Sequence, residues 1–268
     1  MVRIIMLLLV AVLPVYLIGL YIYKKDKDKE SKKLLSKLFF CGIISCIPVV
    51  FLELFIGFFF GAEDNMNFVT LFFYVLIAIA FIEEICKWYF VYKISYNHHE
   101  FDHIYDAIVY CVFVSLGFAA FENIFYIIDG GFATAFLRAI SAVPGHACFA
   151  IAMGNYLGLA KVAYFIHDNN LEKKNLILSI VVPTFLHCLY DFCLLTESFL
   201  FLLVFFAILI YIYIYAVKTV KRTSKIPNNL MFDIESIHIF KYCPRCGIKS
   251  VGRYCIKCGN DLLFNENV

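Results

Sequence analysis

Two adjacent carboxylates, Glu83 and Glu84, stand inside one of the most apolar stretches of the chain, Phe68 to Val91. On insertion scales an acid at the centre of a membrane span costs roughly 2.5 to 3.5 kcal/mol. Leu, Ile, Phe and Val return only about 0.3 to 0.6 kcal/mol each. Anchoring does not require such a pair, so it reads as a functional site. Other apolar segments carry Glu122, His146, His187 and Asp191. The glutamates therefore have possible company at one site. A glutamate acts as base if water reaches it, and two neighbouring carboxylates in low dielectric are pushed toward holding one proton. Lys87 follows Glu83 by four residues, one helical turn, and would keep that carboxylate ionised. Asp191 stands at the same spacing from His187 and would fix its tautomer.

The elements that position these groups are membrane helices. With 63% hydrophobic residues and a mean hydropathy of +0.83, the 268-residue chain lies outside the range of soluble globular proteins. About seven stretches are long enough to span a bilayer: Ile4–Tyr23, Leu38–Phe60, Phe68–Val91, Ile104–Ile128, Ala135–Phe165, Leu176–Leu195 and Phe199–Val217. The first has no small-residue cleavage site and is read as a span, not a signal peptide. The expected fold is therefore all-α, a polytopic helical bundle over residues 1–225 with the site motifs in residues 68–195.

Charge sets the orientation. Lys24, Lys25, Lys27, Lys29, Lys32, Lys33 and Lys37 follow the first span, against Arg3 before it. The positive-inside rule puts the N-terminus outside and the C-terminus inside. Alternate loops agree. The acidic stretch Gly61–Asn67 and Asp129-Gly130-Gly131 fall outside; Lys93–His103, Glu172-Lys173-Lys174 and Lys218–Lys225 fall inside. His98, His99 and His103 are expected to be solvated there.

Local signals refine the bundle. Pro144 and Pro183 precede His146 and His187, and each is expected to bend its helix and open a polar pocket beside its histidine. Gly154 and Gly158 form a small-xxx-small strip for close helix packing. Glu122 could hydrogen-bond Tyr126 or a facing helix, and Glu53 in the second span matches no motif and is read as structural or as lipid-interface strain. Beyond the spans, Pro227-Asn228-Asn229 reads as a linker (226–241) into a tail, residues 242–268. There Cys243-Pro-Arg-Cys246-Gly and Cys255-Ile-Lys-Cys258-Gly form two CxxCG knuckles, a closed four-cysteine structural zinc site. The other seven cysteines are scattered through apolar segments, a pattern no disulfide framework shows.

Four motifs then converge. Glu83-Glu84-Ile-Cys-Lys87 matches EExxK, Phe121-Glu122-Asn-Ile-Phe-Tyr126 matches FExxxY, His146 to Gly154 matches HxxxxxxxG, and His187-Cys-Leu-Tyr-Asp191 matches HxxxD. In this order on successive spans they resemble the PrsW family of intramembrane proteases, which is distantly similar to the CAAX-prenyl endopeptidases and Abi membrane proteins. Asp106, Asn123, Arg138 and Pro144 also look family-like. The resemblance covers roughly Phe68 to Leu195 and leaves out the ribbon. It implies an endopeptidase in the bacterial cell membrane that cuts a membrane-anchored regulatory protein such as an anti-sigma factor, with Glu83, Glu84, Glu122, His146, His187 and Asp191 at the site.

Two mechanisms fit this reading. In one, His146, His187 and a glutamate hold a catalytic zinc ion with an open position for water. In the other, which we favour from sequence, a glutamate activates water directly and the histidines hold it or stabilise the oxyanion. No HExxH motif is present. The same residues would also serve a proton-coupled transporter or channel, or belong to a scaffold acting through its ribbon. The lipid bilayer is the expected surrounding, no nucleic-acid partner is expected, and nothing in the sequence sets an oligomeric state.

Overall fold

The computed structural model describes residues 2–60, 66–196, 198–226, 240–243, 245–251 and 255–260, without the side chains of residues 2–9, 60, 127–129, 240, 241 and 249–251. Residues 227–239 of the expected linker and the acidic stretch at 61–65 lie outside the described residues, and a strand begins at residue 240, inside the expected linker. Among the described residues eight α-helices run in order: α1 Val2–Lys25, α2 Lys32–Phe60, α3 Phe68–Tyr74, α4 Ile82–Ser95, α5 Ile104–Ile140, α6 Ala142–Phe165, α7 Asn169–Leu195 and α8 Phe199–Thr223. A π-helical segment, Val75–Phe81, joins α3 to α4. Among the described residues six helices are long and apolar enough to cross a membrane, and they are the second to seventh expected spans. The first expected span falls on α1, a helix of 24 residues.

The helices outrun the apolar segments. α2 begins at Lys32, so Lys32, Lys33 and Lys37 are helical and not part of a loop. The fourth and fifth spans also join differently from expectation. α5 continues past Ile128 to Ile140, broken at Gly131 (φ 69°, ψ −154°), a conformation that glycine adopts without strain. The break before α6 falls at Ser141, φ −120° and ψ −65°. Pro144 therefore lies in the first turn of α6, where its missing N–H is one of the helix's unpaired donors. It does not bend a helix interior as expected. Pro183 does lie inside α7.

α5 is the centre of the bundle, and α1, α2, α4, α6 and α8 all pack on it. Two glycine contacts set the distances. A Cβ on Gly154 would come within 2.5 Å of Ile108 Cα, and one on Gly158 within 2.7 Å of the Ile104 carbonyl oxygen, as the strip on α6 predicts. A second pair carries no such strip: a Cβ on Gly42 would strike the Val114 carbonyl, and one on Gly117 the Phe39 carbonyl. Lipid tails are as apolar as Leu, so membrane helices associate through such close packing.

The turns assigned by charge to one side do meet. Tyr96 Oη donates to Glu172 at 2.8 Å, Lys161 Nζ to the Tyr96 carbonyl at 2.5 Å, and the Ser31 amide to Glu100 at 2.8 Å. His103 departs from the solvated reading. It is buried, caps α5 by accepting from the Tyr105 amide, and places Nε2 3.1 Å from the Ile226 carbonyl. Burial holds its pKa down at about 4.

On the same side sits the ribbon. Its strands β1 Phe240–Tyr242 and β2 Lys249–Val251 pair antiparallel, and Ile256 packs with Ile104, Val162 and Ile226. Gly42→Ala and Gly117→Ala are each expected to cost about 1–3 kcal/mol by overpacking, read as a lower thermal midpoint in detergent. Gly57→Ala, whose Cβ would meet nothing nearer than Tyr74 Oη at 3.6 Å, should be neutral. Equal midpoints for all three would refute the close-packing account.

Candidate active site

The third span reaches the site through an irregular backbone. The π-helical bonds of Val75–Phe81 insert extra residues into the turn and rotate the helix beyond it, so Glu83 and Glu84 open α4 facing the bundle. Nothing in the run Val-Leu-Ile-Ala-Ile-Ala-Phe signals this. On α7, Pro183 cannot donate to the Ser179 carbonyl one turn earlier. Ser179 is held otherwise: its hydroxyl donates to Leu176 at 2.6 Å and accepts from the Trp88 indole at 2.8 Å.

All six expected residues come together. Glu83, Glu84, His146 and His187 are buried, and one ligand-type atom of each lies within 4.8 Å of the others. At their centre is Lys87, whose Nζ is 2.8 Å from Glu83 Oε2, 2.9 Å from Glu84 Oε1 and 3.3 Å from His146 Nδ1. The ammonium also rests over the Phe118 ring, 3.9 Å from its centroid, a favourable cation–π contact in a desolvated site.

Each histidine is clamped between two groups. His187 Nδ1 faces Glu84 Oε1 at 3.0 Å and Nε2 faces Asp191 Oδ2 at 3.0 Å, with Glu83 Oε2 at 4.0 Å. Phe149 stacks on its ring at 4.8 Å. His146 places Nε2 2.8 Å from Glu122 Oε2, and its main-chain carbonyl accepts from Ser115 Oγ at 2.9 Å. Glu122 therefore does not bond Tyr126, the partner that helical spacing offered it. Arg138 holds it instead, NH2 to Oε2 at 3.1 Å, while its guanidinium lies over the Tyr126 ring and Nε donates to Asn123 at 3.0 Å. The spacing of motifs brought these residues together, but the grips of Phe118, Phe149 and Ser115 had no sequence signal.

A cleft of about 610 Å³ opens beside the cluster between α2, the π-helical segment and α5. Glu83 and Glu122 are the cluster members on its wall, together with Glu53, Tyr74, Phe121 and Tyr126. Glu53, read from sequence as structural, is thus a third carboxylate facing this space. The rest of the wall is apolar.

The donor types suit a zinc ion, but their surroundings do not fit one. The shared point is already held by a cation, the Lys87 ammonium, and the ring nitrogens of both histidines have partners. Among the described residues Glu84 Oε2 is the cluster's one buried oxygen without a partner, and a catalytic zinc takes three protein ligands. The ribbon differs. There the thiols face one another directly, Cys243 to Cys258 at 3.5 Å and Cys246 to Cys255 at 3.4 Å. Gly247 and Gly259 close the knuckles at φ 69° and 71°, and their amides donate to the Cys243 and Cys255 carbonyls at 2.8 Å. That four-cysteine group could hold a metal ion.

The profile of a family described as PrsW family intramembrane metalloprotease matches residues 30–217, which takes in α2 and most of α8 besides the motif core and stops short of the ribbon. A protein named Protease PrsW from Oceanobacillus iheyensis is 38% identical over 205 residues, 76% of this chain and 90% of that one. Its namesake from Bacillus subtilis is 38% identical over 175 residues, 65% of this chain and 76% of that one. Another, from Halalkalibacterium halodurans, is 33% identical over 222 residues, 82% of this chain and 98% of that one. No solved structure matches.

Removing one partner from a buried ion cluster leaves uncompensated charge and costs about 3–5 kcal/mol. Lys87→Met is accordingly expected to lower the thermal midpoint strongly. Adding Glu83→Gln and Glu84→Gln in the same chain should restore it to within about 1 kcal/mol of the parent, as a neutral replacement of the whole cluster can. A midpoint untouched by Lys87→Met would show that the ammonium does not neutralise the pair.

Proposed function

The chain belongs to the PrsW family of intramembrane proteases, and from that membership we propose that the Glu83, Glu84, His146 and His187 cluster is its hydrolytic centre, working with a glutamate-activated water and no resident metal. The observation that carries this reading is the Lys87 ammonium at the point the four donors share. It supplies the positive charge that lets both glutamates be ionised at membrane depth.

The substrate in this reading is a membrane-anchored protein whose spanning or juxtamembrane segment unwinds into the cleft beside α2. A regulatory protein such as an anti-sigma factor is the class that the motifs imply. Apolar walls accommodate the substrate's side chains. The carboxylates Glu53, Glu83 and Glu122 attract water and exposed peptide N–H groups there.

Glu83 is the base, because it reaches the cleft while Glu84 is spent on Lys87 and His187. Water entering along the cleft gives a proton to Glu83 as its oxygen attacks the scissile carbonyl. Glu83 then returns that proton to the leaving amine, while His187, held between Glu84 and Asp191, keeps the cluster in place. The Lys87 ammonium, beside Glu83 on the cleft wall, supplies the positive charge that stabilises the oxyanion; one such donor is typically worth about 10²–10³ in rate. Arg138 and Glu122 hold His146 in place.

The lysine-rich face is read as cytoplasmic by the positive-inside rule, with the ribbon on that side. Its four cysteines are read as a structural zinc site, closed by four thiolates and folded by the metal. Glu83→Gln is expected to slow cleavage of a membrane-anchored reporter by about 10²–10⁴ while expression and the elution profile in detergent stay as in the parent. Glu84→Gln should be equally inactive because it releases both Lys87 and His187. Processing at the parental rate in either variant would sink the assignment.

A further inference from the structure

At the lysine-rich end of the bundle, away from the hydrolytic cluster, three more acids are buried together. Asp26 and Glu30 come from the turn between α1 and α2, and Asp106 from the first turn of α5. Their exposures are 4%, 5% and 1%, and one carboxylate oxygen of each lies within 4.8 Å of the others. Charged side chains this deep are ordinarily paired with opposite charge.

The available partners leave the cluster unneutralised. Asp106 Oδ2 accepts from the amides of Asp102 and His103 at 3.1 and 2.6 Å, which caps α5. Glu30 Oε2 accepts from the Tyr110 hydroxyl at 2.5 Å. These are neutral donors. The nearest cation, Lys29, turns its ammonium to the Asp26 main-chain carbonyl and lies 5.2 Å from the Tyr23 ring centroid. His103 is fully engaged, with Tyr105 on one ring nitrogen and Ile226 on the other. Among the described residues the buried Asp26 Oδ2 has no hydrogen-bond partner. Glu100, which reaches Ser31, adds to the negative field around Glu30.

We propose that Asp26, Glu30 and Asp106 form a binding site for a hard divalent cation of the Mg²⁺ or Mn²⁺ type, which ties the α1–α2 turn to the start of α5. The ligand chemistry sets the class. Three carboxylates offer oxygen only, which suits Mg²⁺, Mn²⁺ or Ca²⁺ over zinc or copper. One oxygen, Asp26 Oδ2, waits unpaired. The exposed Asp28 and the half-buried Asp102 stand beside the cluster and would draw a cation toward it. This site is independent of the proteolytic one, since α5 separates the two by the distance from Asp106 to Glu122.

The test is a Mn²⁺ titration of the full-length protein, ribbon intact, followed by the electron paramagnetic resonance signal of free Mn²⁺. About one tight Mn²⁺ per chain is expected, displaced by excess Mg²⁺. Asp26→Asn and, separately, Glu30→Gln should each weaken it at least tenfold, and Glu84→Gln should leave it unchanged. Using two single variants keeps the test decisive if one of them does not fold. Mn²⁺ bound equally by the parent and both variants would overturn the proposal. So would the absence of binding up to millimolar Mn²⁺, which would mean that protons alone neutralise the cluster.

Discussion

Two carboxylates side by side in a membrane helix are tenable here because one ammonium group reaches both. Lys87 sits one turn beyond Glu83 and Glu84 on α4, is 1% exposed, and contacts both carboxylates and His146. At bilayer depth each acid alone would cost a few kcal/mol. The lysine offsets part of that cost within a compact ion cluster, and the remaining polar groups are arranged around it. Glu84 turns one oxygen to His187, His146 accepts from the ammonium, and Asp191 and Glu122 take the outward nitrogen of each histidine. The site therefore has a closed pattern of charge in which every histidine nitrogen is held.

Such a pattern needs helices that are close and fixed in rotation. The glycines supply closeness: Gly42 with Gly117 lets α2 meet α5 at backbone contact, and Gly154 with Gly158 does the same for α6 on α5. Rotation is set by irregular segments. The π-helical stretch before Glu83 turns α4 into the bundle, and the break at Ser141 starts α6 one turn before His146. The same segments shape the cleft, because α2 is held against α5 at Gly42 while the wall above, toward Glu53, opens to about 610 Å³. The family match over residues 30–217 takes in α2, and that helix forms one side of the cleft beside Glu83.

Much of this was legible in the chain. Long apolar runs and alternating lysine-rich turns located the spans, since water and lipid sort those residues strongly. A spacing of four residues put Glu83 and Lys87 on one face, and likewise His187 with Asp191. The rest was decided by tertiary contacts. A run such as Val75–Phe81 is equally apolar whether it forms an α-helix or a π-helix. Pro144 looked like the helix breaker, yet a proline in the first turn is harmless and the break falls at Ser141. His103 looked solvated beside His98 and His99, but it caps α5 from inside. Glu53 matched no motif because its role depends on which helix α2 faces.

If the cluster hydrolyses peptides around a lysine ammonium and not around a resident metal, catalysis and metal content must come apart. Both can be measured on one preparation of a variant whose ribbon cysteines, Cys243, Cys246, Cys255 and Cys258, are replaced by serine. Cleavage of a membrane-anchored reporter is then predicted to survive chelation, with zinc, iron and cobalt far below one equivalent per chain. One equivalent of such a metal, lost together with activity in His146→Ala and restored with it by reloading, would contradict that mechanism.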